Sequence, residues 1–258
     1  MLPVLFSLGR LNIYTYGVLV AAGVLLGFVV FERESRRLGI DRQRVSDLSF
    51  WAALSGFLGA RLTFVLLHFG EYRGDPLRIL KLWEGGLVLY GGLIPAVSVA
   101  LLLMRHWDLP WRRVLDASSA GMALGFGLGR LGCFAAGCCY GRPTDLPWGV
   151  VFSDPRSLAP LGVRLHPTQL YEALFFLLAF LLIRRFRPEG RGFGFFGLLL
   201  SYSIFRFLNE FLRGDPRRII LGLSHNQWIM LGVLGFSLFM LSYLRNVEDP
   251  DIPQSGPA

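Results

Sequence analysis

Three arginines interrupt otherwise apolar runs of this 258-residue chain: Arg61, Arg130 and Arg206. A guanidinium placed inside a bilayer costs roughly 3 kcal/mol on insertion scales. Pairing or snorkelling is one way to keep it there. An anionic ligand is another, because a guanidinium clasps a phosphate through two parallel hydrogen bonds. Three such residues, one of them in a glycine-dense stretch, point to an anionic ligand held within the membrane. That stretch is Gly125–Thr144, GFGLGRLGCFAAGCCYGRPT, in which six of twenty residues are glycine. Glycine permits close helix approach and irregular backbone, both of which an intramembrane cavity requires.

Other polar residues could serve the same chemistry. In SYSIFRFLNEFLRG, Tyr202, Arg206, Glu210 and Arg213 recur at helical spacings of four, four and three, which predicts one shared face. Either an Arg206–Glu210 ion pair lines a helix seam, or Glu210 orients Arg206 while Tyr202 adds a hydrogen bond to the same ligand. In HPTQLYE, His166 stands beside Gln169, Tyr171 and Glu172 at the start of an apolar run. It is a candidate proton acceptor or a polar helix cap. The segment Gly127–Gly132 matches GxGxxG but lacks a preceding strand, so helix packing accounts for it better than dinucleotide binding. Cys133, Cys138 and Cys139 are read as small apolar filler, with redox or metal chemistry as the lesser alternative. Zinc takes about four ligands, and no second Cys or His pair lies nearby.

The elements that must position these residues are membrane helices. The chain is 53% hydrophobic, with a mean hydropathy of +0.49. Its apolar runs approach the roughly 20 residues that span a bilayer. The net charge of +8 is nearly all arginine, concentrated between those runs, a topology signal rather than a nucleic-acid surface. The expected architecture is an all-α bundle of seven transmembrane helices forming one membrane domain over residues 1–246. The spans fall at 12–31, 48–67, 87–104, 114–136, 170–183, 193–212 and 228–244. Gly91, Gly92 and Pro95 are expected to bend or open the third. Residues 137–167 form a head or re-entrant region, Trp83–Gly86 belongs to a connector, and 247–258 reads as a disordered tail. No cleavable leader is evident in the first nine residues. A modest excess of Lys and Arg in alternate loops places the N-terminus outside and the C-terminus in the cytoplasm.

Several of these motifs resemble those of the prolipoprotein diacylglyceryl transferases: GLGRLGCFAAGCCYGRPT, HPTQLYE, EGGLVLYGGLIPA, TYG at Thr15–Gly17 and SYSIFRFLNEFLRG. The resemblance covers nearly the whole chain. It implies a seven-helix enzyme of the bacterial inner membrane, surrounded by membrane lipid and needing no metal or organic cofactor. Such enzymes move the diacylglyceryl group of phosphatidylglycerol to the lipobox cysteine of a prolipoprotein and release glycerol-1-phosphate. By motif position, Arg130 and Arg206 resemble the family's phosphate-binding arginines and Gly141 its essential glycine. Tyr16, Tyr202 and Glu210 match other functional positions, and Arg61 and Gln169 are added as binding candidates. Three positions depart from the pattern: Tyr90 replaces a common histidine, Cys133 an asparagine, and Cys138 a common glutamate.

The expected chemistry is attack by a thiolate, with Arg130 and Arg206 stabilising the departing phosphate and Tyr90 or His166 taking the proton. A transporter or flippase for an anionic lipid is the main competing class, since intramembrane arginines and broken helices occur there too. A catalytically altered lipid-binding relative is another.

Overall fold

A computed structural model describes residues 2–8, 11–72, 74–75, 79, 81 and 86–247. Most are helical. After a short hairpin, β1 (Val4–Leu8) with β2 (Leu11–Tyr14), come α1 (Thr15–Arg37), α2 (Arg42–Leu67), the single turn α3 (Phe69–Tyr72) and α4 (Leu89–His106). Helix α5 (Trp111–Ala136) leads to a head segment holding the pair β3 (Val150–Val151) and β4 (Arg164–Leu165). Then follow α6 (Thr168–Phe186), α7 (Phe193–Asn209), a 3-10 turn (Glu210–Leu212), the pair β5 (Ile219–Ile220) and β6 (Leu223–Ser224), and α8 (His225–Asn246). The mostly helical make-up agrees with an all-α protein, with short paired strands as the remainder, and each expected span overlaps a helix. The first expected span opens with strand, since residues 12–14 pair in β2 and α1 starts at Thr15. Trp83, Glu84, Gly85 and the tail 248–258 lie outside the described residues.

Among the described residues, four helical segments are long and apolar enough to cross a membrane: Thr15–Arg37, Arg42–Leu67, Phe193–Leu212 and His225–Asn246. Tyr90–His106 is apolar but shorter. Helices α5 and α6 carry Arg112, Arg113, Asp116, Arg130, Gln169 and Glu172, which dilute their apolarity. Polarity is distributed as in a membrane protein. Leu25 (65% exposed), Leu102 and Phe239 face outward, whereas Gln169, Glu172, Ser203 and Asn209 are buried.

The chain divides into two compact units. One comprises the chain up to Glu34 together with the chain from Arg112 onward; the other runs from Ser35 to Trp111. In the first, α1 meets α5 through glycine: a Cβ on Gly23 would stand 2.8 Å from the Gly125 carbonyl oxygen, and one on Gly27 2.8 Å from that of Gly121. Asp116 of α5 accepts hydrogen bonds from the Gly192 and Phe195 N–H groups at 2.9 and 3.0 Å, satisfying the orphan donors that open α7. Helix α8 starts with a capping box, in which the Ser224 hydroxyl accepts from the Gln227 N–H and the Gln227 side chain accepts from the Ser224 N–H.

In the second unit α2 packs on α4 in the same manner, with Gly92 against the Gly56 carbonyl and Gly59 against Pro95. Helix α4 therefore runs uninterrupted through Pro95 rather than opening there, and its paired glycines serve close approach.

Candidate functional site: a shared carboxylate between arginines

The first unit gathers its charges around Glu172, one turn into α6 and only 1% exposed. Arg130 Nε reaches Glu172 Oε2 at 2.6 Å from α5, and Arg206 Nε reaches Oε1 at 3.7 Å from α7. The Tyr202 hydroxyl donates to Oε2 at 3.3 Å, and Asn209 Nδ2 donates to Oε1 at 3.2 Å. Tyr202, Arg206 and Asn209 recur at spacings of four and three, so one face of α7 delivers all three. Phe176 packs on the Tyr202 ring at 4.8 Å, and Phe175 stacks on Phe205 at 4.7 Å. These rings lower the local dielectric, where charge-assisted hydrogen bonds gain strength.

A second carboxylate extends the network. Arg206 Nη1 pairs with Glu210 Oε2 at 2.5 Å, the expected i,i+4 pair. Glu210 Oε1 accepts from Ser224 Oγ at 2.9 Å and Asn226 Nδ2 at 3.3 Å, and pairs with Arg217 Nη1 at 2.8 Å. Arg213 does not stay on the shared face. Its backbone turns extended after the 3-10 turn (ψ 140°), and its guanidinium binds Asp215 with two hydrogen bonds of 2.7 and 2.6 Å. Burial alone would lower the Arg213 pKa, but Asp215 outweighs it and the guanidinium is held more firmly protonated than usual. Among the described residues, four guanidiniums (Arg130, Arg206, Arg213, Arg217) share three carboxylates (Glu172, Glu210, Asp215), an excess of one positive charge.

Gly141 sits where only glycine fits. A Cβ there would stand 2.5 Å from the His166 Cβ and carbonyl oxygen and 2.9 Å from the Leu212 oxygen. Around it Gly141 N donates to His166 O, Arg142 N to Leu212 O, and Gly214 N to Tyr140 O, so the head segment is stitched to the end of α7. Elsewhere the head packs on its own small core of Phe152, Ala159 and Leu165. The His166 ring lies 3.3 Å from the Tyr171 hydroxyl, which also accepts from Trp148 Nε1. Gln169 Nε2 donates to the Cys138 carbonyl at 2.7 Å. Tyr16, half exposed, packs against Gly132.

Arg61 and Tyr90 belong to the other unit. Arg61 donates to the main-chain carbonyls of Ile79, Gly86 and Lys81 at 2.9, 3.2 and 3.4 Å, and Tyr90 is 47% exposed.

Of the sequence candidates, Arg130, Tyr202, Arg206 and Glu210 are therefore brought into one network, and Gly141 and His166 into one main-chain clasp. Glu172, Asn209, Ser224 and Arg217 are network members that sequence reading passed over. For Glu172 a signal existed: Thr168, Gln169, Glu172, Ala173 and Phe176 form the buried stripe of α6, with its polar members at one end.

Comparison with known proteins finds relatives along most of the chain. The family described as prolipoprotein diacylglyceryl transferase matches residues 3–243. The phosphatidylglycerol–prolipoprotein diacylglyceryl transferase of Clostridium tetani is 38% identical over 251 residues, covering 95% of this chain and 98% of the relative. Those of Geobacter sulfurreducens and Bordetella avium are 34% and 36% identical, covering 93% and 96% of this chain and 92% and 97% of the relatives. With the match running almost end to end and through every segment that builds the arginine network, the chain belongs to the prolipoprotein diacylglyceryl transferase family.

Proposed function

We propose that this protein transfers the diacylglyceryl group of phosphatidylglycerol to the thiol of a prolipoprotein's lipobox cysteine, releasing glycerol-1-phosphate. The observation that carries the reading is the meeting of Arg130 and Arg206 on Glu172, in a network with one guanidinium charge in excess. A phosphodiester headgroup supplies the anion that such an excess attracts. The Arg130 side chain is 22% exposed and thus open to a ligand, while Arg206 at 8% is held from behind by Glu210. An apolar groove of about 280 Å³ runs between Gly127, Leu128 and Leu131 of α5 and Leu170, Leu174 and Leu177 of α6. It suits a hydrocarbon chain.

In this mechanism the sulfur attacks the glyceryl carbon that carries the phosphate ester. A C–S bond forms as the C–O bond breaks, and the electron pair leaves on the phosphate oxygen. Arg130 and Arg206 stabilise that developing charge where low dielectric makes them effective. The thiol proton passes to Tyr90 or His166. A phenol, with an ordinary pKa near 10, needs a cationic neighbour for that task, whereas an imidazole does not. Tyr202 and Glu210 orient the arginines, and Gly141 and Gln169 fix the backbone that frames them. Tyr16 borders the glycine-rich stretch, and Arg61 anchors the main chain at Ile79, Lys81 and Gly86. The gene product crosses the bacterial cytoplasmic membrane seven times, with its N-terminus and the 137–167 head outside and its C-terminus in the cytoplasm.

The test is incubation of purified protein with phosphatidylglycerol and a lipobox peptide. Glycerol-1-phosphate and a peptide heavier by one diacylglyceryl group are expected in equal amounts. Lipid movement between leaflets without either product would overturn the reading in favour of transport.

A further inference from the structure

Cys133, Cys138 and Cys139 lie outside the arginine network, yet they are not scattered filler. Their three sulfur atoms stand within 4.8 Å of one another, each side chain is partly accessible, and all three are free thiols. The local backbone makes this convergence. Cys133 occupies the last turn of α5, and left-handed residues at Gly137 (φ 77°) and Cys139 (φ 62°) fold the next two cysteines back over it. The Cys138 thiol donates to the Cys133 carbonyl at 3.7 Å. Helix α6 pins the turn from the other side: Thr168 Oγ1 donates to the Cys139 carbonyl at 2.8 Å and Gln169 Nε2 to that of Cys138.

Metal–thiolate bonds of about 2.3 Å, arranged in a trigonal plane, separate their sulfurs by roughly 4 Å. The cluster is close to that spacing before any side chain rotates. A structural zinc site takes four protein ligands, and among the described residues the cluster offers three. Soft monovalent copper is satisfied by sulfur donors alone. We propose that Cys133, Cys138 and Cys139 form a three-thiolate site for a soft monovalent cation of the Cu(I) type. Binding is an exchange without redox change: Cu⁺ replaces three thiol protons, which pass to solvent, and leaves a centre of charge −2. Arg213 and Arg130 both lie within electrostatic reach of Cys139 and offset that charge.

The experiment uses the full chain, purified in detergent, reduced and kept anaerobic, and titrated with Cu(I) against a coloured Cu(I)-selective chelator. One Cu(I) per chain is expected, with ultraviolet thiolate-to-copper absorption. Cys133→Ser, Cys138→Ser and Cys139→Ser should each weaken binding by at least about tenfold, as loss of a ligand must exceed the cost of losing its supporting contacts. Wild-type protein that takes no copper from the chelator overturns the proposal whatever the variants do. So does any single Ser variant that binds as tightly as wild type.

Discussion

Two buried carboxylates in the same unit, Asp116 and Glu172, meet the cost of burial in opposite ways. Asp116 is satisfied by main-chain N–H groups at the start of α7. Those donors are fixed by the helix and can take no other partner without unwinding it. Glu172 is satisfied by side chains, two of them guanidiniums on different helices. A guanidinium can exchange one oxyanion for another while keeping the same geometry, so a phosphate can compete for contacts that Glu172 now holds. Arg61 resembles Asp116 in that its acceptors include backbone carbonyls 18 to 25 residues away. A charge held by backbone builds the fold, whereas one held by other mobile charges is open to a ligand.

The comparison can be broken at several points. Arg130→Ala and Arg206→Ala should each lower transferase turnover by about 10²–10³-fold, the range for loss of a donor to developing negative charge. Release of glycerol-1-phosphate, normalised to folded protein, measures it; near-wild-type turnover in either variant would remove its assigned role. Glu172→Gln keeps the shape but leaves the guanidiniums facing a neutral amide. Breaking a buried pair in this way costs about 3 kcal/mol, read as a lower thermal midpoint in detergent, and turnover should fall with it. Arg61→Ala should cost about 2 kcal/mol through its lost hydrogen bonds, while turnover per folded molecule falls less than about threefold. A turnover loss as deep as that of Arg130→Ala would put Arg61 with the ligand-binding charges. The smallest effect is expected for Asp116→Ala, about 1 kcal/mol of lost capping, again with turnover per folded molecule near wild type.

The positions of the long helices were legible because their apolar runs have the length and composition that fix such elements. Arg130 and Arg206 were legible because a charge in an apolar run demands an account. Glu172 was harder: in HPTQLYE it reads as a neighbour of His166, and only the three-dimensional meeting of α5, α6 and α7 turns it into the hub. Partners distant in sequence left no local signal. Nothing near Asp116 announces that it caps a helix 76 residues later. Nothing near Glu210 announces Ser224 or Asn226, which a hairpin returns to it. The strands β3 and β4 escaped because two-residue pairs have no periodicity to detect. Arg213 left its predicted face because the helix tightens to a 3-10 turn and ends one residue before it.

Ser224 has two duties that cannot be separated. Its one oxygen accepts from the Gln227 N–H, which sets where α8 begins, and donates its proton to Glu210, which steadies Arg206. Any residue unable to do both at once would loosen the root of the final helix and the hold on Arg206 in a single stroke. An alteration there would look like a stability defect in one assay and a catalytic defect in another, though both would start from the same missing hydroxyl.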